Sequence, residues 1–520
     1  MDRNLLLAVS LSIAVYAAWF GFFEKRFNPQ PVKPYVSQTQ PGAKTRTPAA
    51  APGEQAPVAP APAPTAAESA PNKLDVSEAE MVKIGDAVAK IHPRGATIVS
   101  FLYPEPLGVV ELVADPEAGL FATFPELEFK RDLSAVNAVA YTATRSDGMK
   151  ISKVFLPGKG TVLPRVRLVA LNTTKRALDS GEWTLTVGPG LGTIDTEKKE
   201  NAKIQRAVAL KPAAKKGLNG SIDGDFKKLG THPGSYRWVG IDNRYFLAVM
   251  LPAPEQFGPA RTDEGPKVTL TANSVTLTPG GAFTWEVPYY LGAKGQSWLT
   301  RYGIGLERSI DFGFALWAGI GRYMLSALEY LYGITGNWGW AILILTLILQ
   351  ALLFPLTWKS LRSAAQMKKL QPEVAKLQQK YADDSQKLSA ATMELYKTKG
   401  ANPLGGCLPM VLQMPIFLAL FNMLRNSWEL HGAVWIFWIQ DLSAKDPYYV
   451  LPIVMGALML LQSKLNPPAG DPSQQKIMMF MPLIFTFMFL NFPSGLVLYW
   501  LTNSLVSTVF QIALKDRLEA

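Results

Sequence analysis

The chain has 520 residues, a net charge of +11, one cysteine and three histidines. A lone Cys407 excludes an internal disulfide and any cysteine cluster for zinc or iron–sulfur, and His92, His232 and His431 show no ligand spacing. No cofactor or catalytic metal is therefore expected, and the absence of a basic face interleaved with aromatics in the polar half argues against direct nucleic-acid binding.

Residues 5–23 form an uncharged run of 19 positions, about 28 Å as a helix, against a bilayer core of roughly 30 Å. The run ends in Trp19-Phe20-Gly21-Phe22-Phe23 rather than at a small-residue cleavage site. Residues 1–28 are thus read as a retained membrane anchor, not a signal peptide. Residues 29–74 are rich in Pro and Ala, cannot bury a core, and are read as an extended tether.

From 75 to 305 short runs of β-branched and aromatic residues recur between Gly and Pro, at 96–103, 109–113, 183–187, 245–251, 268–277 and 283–291. Alternation such as Thr184-Leu185-Thr186-Val187 fits half-buried strands, so an external all-β sandwich domain is predicted. No Gly-x-Ser-x-Gly motif or other catalytic constellation lies in it. In 306–337, Asp311, Arg322, Ser326 and Glu329 fall on one helical stripe, which predicts an amphipathic helix lying in the membrane interface. A spanning helix would have to bury Arg322, at about 2.5–3.5 kcal/mol.

Between 338 and 514 five apolar segments follow, at 338–358, 408–428, 448–462, 477–490 and 496–514. They predict a polytopic five-helix core bundle, with a six-residue tail at 515–520. Residues 359–399 hold nine basic and four acidic side chains, whereas 429–446 holds one Lys and three acidic ones. The positive-inside rule places the first segment in the cytoplasm and the second outside. Alternation then puts both termini inside and the β domain outside. Within 359–403, Met367, Leu370, Val374, Leu377 and Tyr381 form a narrow apolar seam, and Asp383-Asp384-Ser385 supplies a cap. An antiparallel helical hairpin is predicted, its first arm started or kinked by Pro372, with Lys359, Arg362, Lys368, Lys369, Lys376 and Lys380 as docking charges. A plain connector would need only a few residues.

Polar side chains recur inside these segments: Thr346, Gln350 and Thr357, then Gln413, then Trp500, Asn503, Ser507 and Gln511 at helical spacing. An unpaired amide in hydrocarbon costs several kcal/mol, so these faces are predicted to converge. Spacing leaves two readings open, helix–helix bonding at about 0.6 kcal/mol each or a wet cavity. No Asp, Glu, Lys or Arg sits deep in the segments, which argues against an ion-coupled transporter, and no Gly-rich phosphate cradle exists. No enzyme activity is expected. A channel or transporter lined by the same faces is the alternative reading.

Several strings occur in order: Asn402-Pro-Leu-Gly-Gly-Cys407 before Pro409, Gln413-Met-Pro-Ile-Phe-Leu-Ala-Leu420, Asp441-Leu-Ser-Ala-Lys-Asp-Pro-Tyr-Tyr449, Gln474-Gln-Lys-Ile-Met478 with Phe480-Met-Pro482, and Phe492-Pro-Ser-Gly-Leu-Val-Leu-Tyr499. Together they resemble the YidC/Oxa/Alb family of membrane protein insertases, and the anchor, tether and β domain resemble its Gram-negative form. The resemblance implies an inner-membrane insertase and folding chaperone, acting alone or with the Sec translocon through a hydrophilic intramembrane groove. The groove would include Thr346, Gln350, Gln413, Trp500, Asn503 and Ser507, and its edge or slide Met410, Met414, Pro415, Phe417 and Tyr499. Implied partners are nascent membrane proteins, the Sec translocon, the ribosome through cytoplasmic loops, and membrane lipids. One departure stands out: where the family usually carries an arginine in the groove, this chain has Gln350.

Overall fold

Strand burial in the N-terminal half alternates as the sequence pattern requires. Arg165–Asn172 and Lys267–Ala272 bury every second residue, because successive side chains point to opposite faces of a sheet. The computed structural model describes residues 73–520 except 136–137, 213–220, 314, 382–383, 401–407, 466–471 and 515–520. The expected anchor and all but the last two tether residues lie outside the described residues.

A nine-stranded antiparallel sheet runs in the order Ser221–Ile222, Arg206–Lys211, Trp238–Asp242, Phe246–Met250, Ala282–Ala293, Arg165–Asn172, Met149–Leu156, Val139–Thr144, Lys130–Asp132. A four-stranded sheet orders Trp183–Val187, Lys267–Ala272, Ala260–Asp263 and Gly230–His232. A second four-stranded meander is Glu80–Ile84, Ala87–His92, Thr97–Glu105 and Gly108–Glu111. All three contribute to one core, in which Trp183 meets Trp285 edge-on at 5.6 Å between ring centroids. This is the expected β-sandwich.

Four neighbouring strands break the alternation, Arg206–Lys211 and the end of Ala282–Ala293 in part and the two between them throughout. Trp238–Asp242 and Phe246–Met250 are buried at every position. Their Val239, Ile241, Phe246, Ala248 and Met250 join the sandwich core, while Trp238, Leu247 and Val249 join a second core with the helices. A strand covered on both faces reads as a continuous apolar run. The middle of the large sheet is thus the seat on which the helical region rests.

Nine helices are described: α1 (Lys198–Ile204), α2 (Gln296–Arg301), α3 (Ala315–Thr335), α4 (Trp338–Lys380), α5 (Ser385–Thr398), α6 (Leu408–Asn426), α7 (Val450–Leu465), α8 (Pro472–Phe489) and α9 (Ser494–Ala513). The predicted stripe on α3 is corrected at its start. Asp311 precedes the helix, where its Oδ1 accepts from the Gly313 amide at 2.8 Å and Gly313 has φ +84°. That turn ends any helical register before Ala315.

The first apolar segment and the first arm of the hairpin are one helix. α4 runs 43 residues with Pro355 and Pro372 inside it, so Pro372 starts no new helix. Asn337 caps it, its Oδ1 accepting from the amides of Gly339 (2.9 Å) and Trp340 (3.2 Å). At the other end Leu370 and Val374 are buried against the second arm, α5, and Lys399 pairs with Glu373 at 3.3 Å across the arms. Asp384 caps α5 by accepting from the Lys387 amide at 3.0 Å. Among the described residues two helical stretches are long and apolar enough to cross a membrane, Trp338–Pro355 and Ser494–Ala513; Val450–Ser463 and Phe480–Phe489 are shorter apolar stretches. α9 packs on α4 and α7, and α3 packs on α4 and α6.

Candidate functional site

Three of the polar residues predicted to converge, Thr346, Gln350 and Asn503, come together between α4 and α9. Gln350 is 7% exposed, and its Nε2 donates to Asn503 Oδ1 across the two helices. Thr346, Leu349, Gln350 and Leu353 of α4, Ile416 of α6, and Tyr499 and Asn503 of α9 line a cleft of about 10 Å³. That is on the order of one water molecule's space. The Thr346 hydroxyl is buried and donates to Ile342 O, one turn back on its own helix, at 2.7 Å. Both amides therefore meet part of their hydrogen-bonding need from each other, and the threonine from its own backbone.

The other expected groove residues take different places. Trp500 packs among rings, with Phe417 at 4.8 Å edge-on, Phe489 at 5.3 Å and Phe485 stacked at 6.2 Å. Ser507 lies half-buried one turn beyond Asn503 and does not line the cleft. The side chains of Gln413 and Met410 are outside the described part of α6. Of the expected edge residues, Met414 is exposed, Pro415 and Phe417 are half-buried, and Tyr499 is buried in the cleft wall. The six basic hairpin residues Lys359, Arg362, Lys368, Lys369, Lys376 and Lys380 are all exposed along α4.

Three polar residues escaped notice in the sequence. Gln462 of α7 donates to Ser504 O at 3.0 Å, a second amide tie to α9. Asn422 is buried on α6 and donates to Leu418 O at 2.9 Å. Asp446 is buried and accepts from Trp438 Nε1 (3.0 Å), the Tyr448 amide (3.0 Å) and the Leu451 amide (2.8 Å). A carboxylate with three donors orders the loop that enters α7. That loop also seats on the start of α9, where Ser494 and Gly495 donate their amides to Ala444 O (2.7 Å) and Leu442 O (2.9 Å).

A dense set of charged contacts fixes the β domain over the helices. Buried Asp242 pairs with Arg206 and Lys294, both at 3.1 Å, and Arg206 reaches Asp311 at 3.4 Å. The Asp242 and Asp311 carboxylates hold the guanidinium above its ordinary range, whereas burial holds the Lys294 ammonium below its own. Arg244 pairs with Glu197 and, at 3.0 Å, with Glu200, which also reaches Arg425 at the end of α6 (3.6 Å). His431 pairs with Glu105 from the meander. Glu429 accepts from the Gln296 amide at 2.7 Å, Gln296 Nε2 donates to Ser326 of α3 at 3.0 Å, and burial pushes the Glu429 carboxyl up to about 7.

Two family descriptions match: "YidC periplasmic domain" over residues 130–325 and "60Kd inner membrane protein" over residues 330–520. Membrane protein insertase YidC of Endomicrobium trichonymphae is 34% identical, over 98% of this chain and 97% of that one. The insertase YidC of Syntrophus aciditrophicus is also 34% identical, over 98% of each. The chain belongs to the YidC family of membrane protein insertases. It is an inner-membrane insertase with a periplasmic β-sandwich domain and a helical C-terminal region, and its substrates are nascent membrane proteins. A solved YidC insertase with its first transmembrane domain resolved aligns over 84% of this chain and 93% of its own, at 18% identity and a TM-score of 0.41. In this YidC-family chain the α4–α9 cleft contains amides and hydroxyls but, among the described residues, no charged side chain. No cluster of three or more His, Cys, Asp or Glu suited to a metal is found among the described residues.

Proposed function

We propose that insertion works through the polar seam between α4 and α9. The observation that carries this reading is the Gln350–Asn503 pair, two amides brought together across 153 residues of sequence inside otherwise apolar helices. Such interhelical bonds are weak in membranes, about 0.6 kcal/mol and at most about 1.7, because competing partners exist. A polar segment of a substrate can therefore exchange with either amide and open the seam at small cost. Its hydrophobic neighbour then leaves toward lipid past Met414, Pro415, Phe417 and Tyr499. Gln413, Trp500 and Ser507 extend the polar path. The barrier lowered is that of carrying a polar tail across hydrocarbon, with no covalent step.

In this reading α4, α6, α7, α8 and α9 all cross the membrane, joined by the N-terminal anchor at 1–28. Both termini and the 359–403 hairpin face the cytoplasm, where the six exposed basic residues receive the substrate and the ribosome. The insertase acts alone or beside the Sec translocon. Photo-crosslinkers at 350, 413 and 500 test it with a stalled single-span substrate. Capture of substrate at these positions is expected; capture of lipid alone there, with substrate captured on the lipid-exposed side of α8, overturns the seam mechanism.

A further inference from the structure

A β hairpin of the periplasmic domain ends in an exposed apolar turn. Thr97–Glu105 pairs with Gly108–Glu111 through Pro104↔Val109 and Glu105↔Gly108, leaving Pro106 and Leu107 as the turn. Leu107 is 60% exposed and Val109 65%. The turn is pinned: Glu105 pairs with buried His431, and at Gly432 (φ +64°) a side-chain carbon would stand 2.8 Å from Pro106 Cβ and 3.3 Å from Leu107 Cγ.

The loop that holds it is level with the start of a candidate membrane-crossing helix. Asn337, the cap of α4, donates through Nδ2 to Val434 O and Trp435 O, both at 3.1 Å. Trp435 packs edge-on to Trp340, two residues inside the apolar stretch that begins at Trp338. Gly432, and with it the hairpin turn, is therefore only a few residues along the loop from the first turn of α4. Next to it, Phe437 adopts φ +51°, unusual for a bulky residue, and its ring is 80% exposed and stacked on Trp438. Val434, Trp340 and Tyr448 add exposed apolar surface at the same end of the helices.

We propose that the Pro106–Leu107 turn and the Val434–Phe437 loop form one apolar foot seated in the outer leaflet of the membrane, so that the β domain is held by lipid as well as by the helices. On the orientation proposed above, the occupant is the headgroup–acyl boundary, because the patch is continuous with the ends of α4 and α7 that face outward there. Water is a poor neighbour for six large apolar side chains, Leu107, Val109, Trp340, Val434, Phe437 and Tyr448, and aromatic rings are at home at the headgroup boundary. The strained Phe437 backbone fits a residue held outward for a purpose.

The test uses the full chain with Cys407→Ser, which leaves no native thiol, reconstituted in phosphatidylcholine vesicles. Leu107→Cys and Phe437→Cys, each labelled with bimane, are compared with Leu229→Cys, a residue 62% exposed beside the edge strand Gly230–His232. With lipids brominated near the headgroup, at least twofold stronger quenching at 107 and 437 than at 229 is expected, independent of protein-to-lipid ratio. Quenching at 107 no greater than at 229 overturns the proposal. So does shielding of 107 from an aqueous quencher that grows with protein density, which would make the patch a contact between proteins.

Discussion

Glu429 couples the β domain, α3 and the end of α6, and it should make their union pH-dependent. Its Oε1 accepts from the Gln296 amide, while its Oε2 is buried with no partner among the described residues, as are Gln296 Oε1 and Glu329 Oε1 nearby. Burial, abetted by Glu329, raises the carboxyl from 4.5 to about 7. Between those values the folded protein keeps a proton that the unfolded chain has lost. Stability from this group is full below about pH 4.5 and is lost as pH rises through about 7. A shift of this size amounts to about 3 kcal/mol. Glu429→Gln keeps the acceptor for Gln296 and removes the ionisation. Thermal unfolding followed by tryptophan fluorescence in detergent, from pH 5 to 8, reads the difference between wild type and variant. The variant should melt only slightly higher at pH 5, the gap should widen up to about pH 7 and then level off, at roughly 5 °C by pH 8. A difference that stays constant across that range refutes the reasoning.

Four further outcomes are expected. Gln350→Leu leaves Asn503 without this partner; a double-mutant cycle with Asn503→Leu, read by unfolding in detergent, should give a coupling of about 1 kcal/mol. In depletion rescue, Gln350→Leu should lower insertion of substrates with polar tails more than it lowers protein level, and equal losses would leave only a structural bond. At Gly456 an added methyl overlaps Thr486 Oγ1 of α8, so Gly456→Ala should cost about 1–3 kcal/mol, and Thr486→Ala in the same chain should restore most of it. Lys153 is fully buried and donates to the carbonyls of Gly95 and Ala96, both at 2.9 Å, and of Phe121. Lys153→Met takes this donor from the Ala96 and Phe121 carbonyls, while Gly95 O keeps the Thr123 amide and hydroxyl at 3.3 Å, and should destabilise the β domain by about 3 kcal/mol, visible as faster proteolysis within 75–305.

The six expected runs were legible because composition and alternation are local signals, whereas Met149–Leu156 and Arg165–Asn172 were not singled out although they alternate as regularly. The expected run 183–187 coincides with Trp183–Val187, and 283–291 falls inside Ala282–Ala293. The expected run 268–277 divides into Lys267–Ala272 and Thr276–Leu277, since Asn273 turns its amide to Gln256 O at 2.9 Å instead of to a neighbouring strand. The continuity of α4 was hidden by the charges from Lys359 onward and by Pro372. A proline costs about 3 kcal/mol in a helix interior and Pro372 reads locally as a start or kink, but burial of Leu370 and Val374 rewards one continuous helix. The stripe through Asp311 failed for the opposite reason, a helical spacing imposed on a turn. Gln350 and Asn503 were each visible as polar positions, but no spacing rule can show which amide faces which across two separate helices.

Gln350 stands where the family resemblance implies an arginine, and that changes what the resting seam can be. A buried guanidinium cannot be neutralised and would keep water or an anion at its side. A glutamine and an asparagine bond to each other without a counter-ion and can close the cleft to the size found here, about 10 Å³. Closure of this kind is shallow. With a pair worth about 0.6–1.7 kcal/mol, breaking it leaves an open-to-closed ratio of roughly 0.4 down to 0.06 before any substrate arrives. On the proposed mechanism the amide pair therefore acts as a lid that opens often, not as a lock. Substrate choice must then come from how well a tail competes for the amides and how readily its apolar segment leaves past α6 and α9. Charge attraction, if insertion needs it, falls to the exposed basic residues of α4 such as Lys359 and Arg362, outside the cleft.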